Sequence, residues 1–218
     1  MIALQRLAEP AALAENGGKW LDRFLEQRKN TPGQRPDSRQ YGHRGVRNVL
    51  RAMSFGKCFY CERRLSESED EIDHFYEVAE SPEQAFRWEN LYLSCRDCNR
   101  HKTPNSRISV NECLNPCDTT ADPSEHLTFT EELIRPRHSS SIGTRTIQKY
   151  RLDRDQLNYL RTKQLQQFER FVRGLHIACI REGRQLNEAE KEAIASFGQA
   201  DHEFSLMFGT YLTAVYLP

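Results

Sequence analysis

At 218 residues, with 38% hydrophobic and 28% charged residues, the chain can bury a core, which excludes a disordered polymer and fits one domain or a small module with a helical extension. Lysines plus arginines equal aspartates plus glutamates at 31 each. That balance argues against strong nonspecific DNA binding by the chain alone, because phosphate neutralisation supplies most of such affinity. The polar, acidic stretch MIALQRLAEPAALAEN does not read as a signal peptide and no apolar run reaches the ~18 residues of a membrane span, so a cytoplasmic chain without a membrane role is expected.

In chain order, GKWLDRFLEQR places Trp20, Phe24 and Leu25 at helical spacing. A basic segment follows, Arg28 to Arg51, and residues 1–57 carry 11 basic against 5 acidic side chains where residues 58–112 carry 7 against 12. Such a segment either contacts a polyanion or is a solvated, partner-facing surface. GVRNVLRAMSFG predicts a helix with Val46, Val49, Leu50 and Met53 on one face, stopping at Gly56. EIDHF and NLYLS read as short strands, and CRDCNRHKT as a short helix that Pro104 helps to stop. The acidic loop SESEDEIDHFYEVAESPE is read as solvated, with repulsion of nucleic acid as the other reading. From Lys102 to Ser141 the composition predicts irregular structure with one strand at HLTFT.

The last third is helical. Leu157, Leu160, Leu165, Phe168, Val172, Leu175 and Cys179 form an amphipathic series, opened by a capping arrangement at Asp153 and Gln156. Asn187 and Glu190 repeat that arrangement, Gly198 is a natural stop, and FSLMFGTYLTAVYL reads as a buried helix. The expected organisation is an N-terminal helical and basic segment at 1–56, a core with an irregular extension at 57–144, and a helical region at 145–218.

Cys58, Cys61, Cys95 and Cys98 form C-x2-C-x33-C-x2-C, the spacing of a closed, tetrahedral structural zinc site. Cys113 and Cys117 lack a second pair and read as ordinary thiols, and Cys179 as core. Between the pairs, Asp73 and His74 are adjacent on a strand, where neighbours point to opposite faces unless the strand ends or twists. A carboxylate for a hard cation, an imidazole that accepts a proton near neutrality, and a helix returning Asn99 by the cysteine clamp are the parts of a metal-assisted hydrolase.

In that order and spacing, CFYC, IDHF, WENLYLSC and CNRHK resemble the ββα-metal motif of the HNH nuclease superfamily over residues 57 to 104. More loosely, LNPCDTTADPSEHLTF and TIQKYRLDRDQLNYLR are similar to the downstream part of the HNH proteins of Septu and retron anti-phage defence systems, which work with an ABC-type ATPase. The resemblance implies an α+β, mostly helical fold, with a ββα-metal core stapled by the four-cysteine zinc site, N-terminal helices and a C-terminal bundle. It implies that His74 is the general base, that Asp73 and Asn99 hold one Mg²⁺ or Mn²⁺, and that Asn90 braces the loop after His74. It places Lys102 near the scissile phosphate and Arg100 on the nucleic-acid backbone.

Asn99 stands where a histidine is common, which favours Mg²⁺ or Mn²⁺ over zinc there. His101 is either an alternative ligand or a solvent-facing residue; turn and capping roles are the other readings of Asn90 and Asn99. The expected function is metal-dependent hydrolysis of nucleic acid, DNA before structured RNA, in a defence complex with an ATPase. The alternative is a zinc-stabilised adaptor without hydrolytic activity.

Overall fold

In the computed structural model, which describes residues 1–102 and 107–215, α1 (Ala11–Asn30) begins well before the apolar series read from the sequence, directly after Pro10. Pro10 has extended dihedrals and no N–H to lose, so it suits the entry to a helix. After the short α2 (Ser38–Tyr41), capped by Asp37, comes α3 (Arg44–Met53), which buries Val46, Leu50 and Met53 as its spacing requires. Its opposite face carries Arg47 and Arg51, and both guanidinia grip the fully buried carboxylate of Asp70. Two arginines of the basic segment are therefore internal ties that dock α3 onto the next strand.

That strand, β1 (Asp70–His74), pairs antiparallel with β2 (Leu91–Cys95), with Asp70 opposite Cys95 and His74 opposite Leu91. All five residues of β2 are buried, and α4 (Arg96–Lys102) follows without a linker. The order strand, loop, strand, helix is thus observed; Pro104 lies outside the described residues.

The region expected to be irregular is more ordered than its composition suggests. A single turn, α5 (Pro123–His126), leads into a hairpin of β3 (Leu127–Thr130) and β4 (Leu133–Pro136). The hairpin turn passes through Glu131 at φ 53°. The second strand is masked in sequence by its shortness and by Pro136 at its end. Next, α6 (Ser141–Tyr150) begins at the cap Ser140. It packs so closely on α5 that a Cβ on Gly143 would lie 2.3 Å from the His126 carbonyl oxygen. Because α6 crosses residue 144, the boundary expected there falls inside a helix.

The long α7 (Asp155–Glu182) buries Leu157, Leu165, Phe168, Val172 and Cys179, and ends at Gly183 with φ +62°. Its start corrects the expected cap: Arg154, not Asp153, precedes the helix, and no side chain caps it. The second capping box does form, with Asn187 and Glu190 exchanging hydrogen bonds at the start of α8 (Glu188–Ala195). The apolar C-terminal run is α9 (Ser205–Val215), with Met207, Phe208 and Leu212 buried against the α7 side of the core. Buried side chains from all three sequence segments join one apolar cluster. Among the described residues no helix is long and apolar enough to cross a membrane.

Candidate active site and metal centre

The strand pair and α4 serve two different centres. At one end, the sulfurs of Cys58, Cys61, Cys95 and Cys98 all lie within 4.8 Å of one another, and all four residues are buried. Cys61 Sγ and Cys95 Sγ are 3.8 Å apart, the edge expected of a tetrahedron with metal–sulfur bonds of about 2.3 Å.

The cluster is built locally. Cys58 and Cys61 flank a tight knuckle closed by the Lys57–Arg64 bridge. Cys95 ends β2, and the first turn of α4 brings Cys98 round so that its N–H points at Cys95 Sγ at 3.4 Å. Hydrogen bonds with Cys58, Cys95 and Cys98 hold the Cys61 thiol well below the ordinary thiol range, while the mutual contacts push Cys98 well above it. Thiols this close cannot all ionise side by side, and a divalent cation relieves that conflict. The donor set therefore fits zinc. Arg154, missed in the sequence, places its guanidinium 3.6 Å from Cys98 Sγ and 4.0 Å from Cys95 Sγ, where it offsets the charge of a tetrathiolate centre. This use of Arg154 accompanies the absence of a side-chain cap on α7.

At the other end, a cavity of about 320 Å³ is lined by Asp73, His74, Asn99 and Lys102 from the strand and helix, facing Arg28, Arg35 and Tyr41 from the N-terminal segment. Asp73 and His74 share it despite the alternation of a strand because β1 ends at His74. His74 Nε2 lies 2.8 Å from the Ala85 carbonyl oxygen. A carbonyl only accepts, so Nε2 carries the proton and the lone pair resides on Nδ1. Burial lowers the His74 pKa below the usual imidazole value, more than the neighbouring Asp73 carboxylate raises it, so the neutral base is favoured. Tyr41 packs edge-on against the imidazole, with ring centroids 4.7 Å apart.

Asn90 is fully buried and braces the loop after His74. Its Oδ1 accepts from the Tyr76 N–H at 2.6 Å, and its Nδ2 donates to the carbonyls of Tyr76 and Gln84 at 3.1 and 3.0 Å. Gln84 adjoins Ala85, so the same amide sets the carbonyl that orients His74. Asn99 Nδ2 donates to Glu71 Oε2 at 2.8 Å, which turns its oxygen to the other side.

Asp73 is 6% exposed and doubly held. Tyr60 donates its hydroxyl to Oδ2 at 2.5 Å, and Lys102 Nζ reaches Oδ1 and Oδ2 at 3.1 and 2.9 Å and also the His74 carbonyl. Burial, then the Asp73 charge, pushes the Tyr60 phenol well above its usual pKa, so it remains a donor. Tyr60 is stacked on Tyr150 with centroids 4.1 Å apart.

The structure brings Asp73, His74 and Asn99 to one cavity, with Asn90 bracing the loop behind His74, and places Lys102 and Arg100 differently. Lys102 is 2% exposed, and its ammonium is engaged by Asp73 at the cavity wall. Arg100 is exposed and does not line the cavity. His101 is also absent from the lining, and the charges that act on it are those of Arg154, Arg151, Asp97 and Arg100. Cys113 is buried and Cys117 half-buried, as expected of ordinary thiols, and burial raises the pKa of both. Sequence reasoning missed Tyr60, Tyr41 and Glu71, whose roles depend on contacts across the fold. The one available signal was the tyrosine inside the CFYC knuckle, since a phenol in a buried turn needs an acceptor.

The oxygen donors of Asp73 and Asn99 are hard ligands that suit Mg²⁺ or Mn²⁺. Among the described residues, the cysteine cluster is the only group of three or more His, Cys, Asp or Glu side chains placed to hold a metal.

Residues 58–105 match the family model for HNH endonuclease. The chain is 31% identical to the Septu protein PtuB of Bacillus mycoides (strain KBAB4), with 75% of this chain and 66% of that protein covered. It is also 31% identical to the Septu protein PtuB of Bacillus thuringiensis, with 68% and 62% covered. It thus spans slightly less than two thirds of the length of these relatives. With its cysteine clamp around the two strands and α4, the chain carries an HNH endonuclease region from Cys58 onward and is similar to the Septu protein PtuB.

Proposed function

We propose that the protein is a metal-dependent endonuclease that hydrolyses nucleic-acid phosphodiester bonds, DNA before RNA, as the effector of an anti-phage defence complex with an ABC-type ATPase. The observation that carries the catalytic part is His74, whose Nε2–H is committed to the Ala85 carbonyl while the imidazole lines the cavity. Nδ1 takes the proton from the attacking water, and the Asn90 brace keeps the ring oriented throughout. Asp73 and Asn99 would hold one Mg²⁺ or Mn²⁺, which supplies charge stabilisation for the phosphate and the departing 3′ oxygen. Lys102 and Tyr60 position the Asp73 carboxylate by hydrogen bonding to it. The cysteine cluster would hold structural zinc and fix α4, hence Asn99, against β1.

Support for the defence context is the similarity to Septu PtuB proteins and the looser likeness of the region after the HNH motif. The test is purification from the native operon with whatever ATPase accompanies it, followed by incubation of plasmid DNA and structured RNA with Mg²⁺ or Mn²⁺. Cleavage by wild type and not by His74→Ala is expected. Equal inertness of both with every partner and substrate would leave the adaptor reading instead.

A further inference from the structure

The cavity has a second wall that the strands and α4 do not supply. Gly33, Arg35, Pro36 and Tyr41 build it, with Arg28 from the last turn of α1. Acidic groups that line the cavity are balanced from within: Asp73 by Lys102 and Glu77 by Lys149, each at 2.9 Å and each lysine 2% exposed. Glu71, behind Asn99, is a further nearby carboxylate, and Asp37 near Tyr41 is another.

The arginines of the basic segment divide sharply. Arg39 pairs with Asp37, and Arg47 and Arg51 with Asp70. Arg28 is half-buried and held by the carbonyls of Gln34 and Ala79 at 3.4 and 3.3 Å, which fix its guanidinium without cancelling its charge. Arg35 is exposed on the cavity wall, and its guanidinium makes no hydrogen bond or ion pair with the described residues. The edge contact of Tyr41 on His74 keeps this wall beside the imidazole.

We infer that Arg35, with Arg28 behind it, is the phosphate-binding residue of the site, gripping a backbone phosphate of the nucleic-acid strand whose neighbouring linkage faces His74. This rests on the nuclease reading. A guanidinium presents a planar fork of donors suited to phosphate oxygens, and Arg35 has that fork available where Lys102 does not.

Binding is measured in the His74→Ala background with a fluorescein-labelled DNA duplex and an RNA hairpin across a salt series. Adding Arg35→Ala is expected to weaken binding about tenfold and to lower the salt slope by about one. Arg35→Lys should keep the slope while losing part of the affinity, and Arg39→Ala should change neither. Unchanged affinity and slope on Arg35→Ala for both probes, or no binding of either probe by the His74→Ala parent, overturns the inference. Wild-type cleavage with Mg²⁺ separates the two readings. Arg35-dependent binding without cleavage by wild type, with every partner and substrate tried, keeps Arg35 as a phosphate contact only and removes the nuclease reading; cleavage whose KM is unmoved by Arg35→Ala does the reverse.

Discussion

The two ends of one short sheet carry two kinds of site. The cysteine end offers four identical soft donors, all buried, and a tetrahedral arrangement with no position left for a substrate. The cavity end offers a carboxylate, an amide and an imidazole around open space, and every one of those groups is held by a further residue. A closed site suits holding and an open one suits reaction, and α4 joins the two because Cys98 and Asn99 are consecutive on it. The difference lies in the donors as well as the burial: thiolates select zinc, and oxygens select harder cations.

Substitutions should separate the two ends. The largest effect is expected from Cys98→Ser, because zinc binding at such a site contributes on the order of 10 kcal/mol to folding. Elemental analysis should show zinc lost, and thermal melting should show the cooperative transition lowered or gone. Retention of both by Cys98→Ser would mean that the cysteines do not clamp the fold. Next comes His74→Ala, which should reduce cleavage about 10²- to 10⁴-fold, the usual contribution of a positioned base. Its zinc content and melting temperature should stay near wild type, whereas a parallel loss of zinc would merge the two sites.

Tyr60→Phe sits between the ends, since Tyr60 belongs to the cysteine knuckle yet its hydroxyl serves Asp73. Removing that hydroxyl while keeping the stack on Tyr150 should cost about tenfold in activity with zinc intact. An unchanged rate would show that Lys102 alone suffices to hold Asp73. The smallest effect concerns pH. In the proposed mechanism neutral imidazole is the active form, and burial outweighs Asp73 in setting the His74 pKa. The acid limb of the rate profile should therefore lie below the usual imidazole value of about 6.5. A limb at or above that value would mean that Asp73 dominates.

The same contrast explains what could be read from sequence. The cysteine spacing, both strands of the ββα element and the Asn187 capping box are local patterns, and each is found where its residues place it. The assembly of the cavity depends on contacts distant in sequence. Lys102 meets Asp73 through an ion pair between α4 and β1, and nothing in CNRHK distinguishes that lysine from one facing phosphate. The basic segment reads as a single patch, yet Asp70 takes two of its arginines inside and leaves Arg35 on the cavity wall. Arg154 and Asp153 show the same limit at α7, where local capping chemistry lost to a long-range interaction with the cysteine sulfurs.

A division of labour between two metals is proposed, one holding the fold and a different one supporting the reaction. Its most direct test is a graded EDTA dialysis of the protein with its native partner, with plasmid cleavage and bound zinc measured on the same samples. Cleavage is expected to vanish while zinc stays bound and the melting transition is unchanged, and to return on adding Mg²⁺ or Mn²⁺. Cleavage that persists after the other divalent ions are gone, or that disappears only in step with zinc, would contradict it.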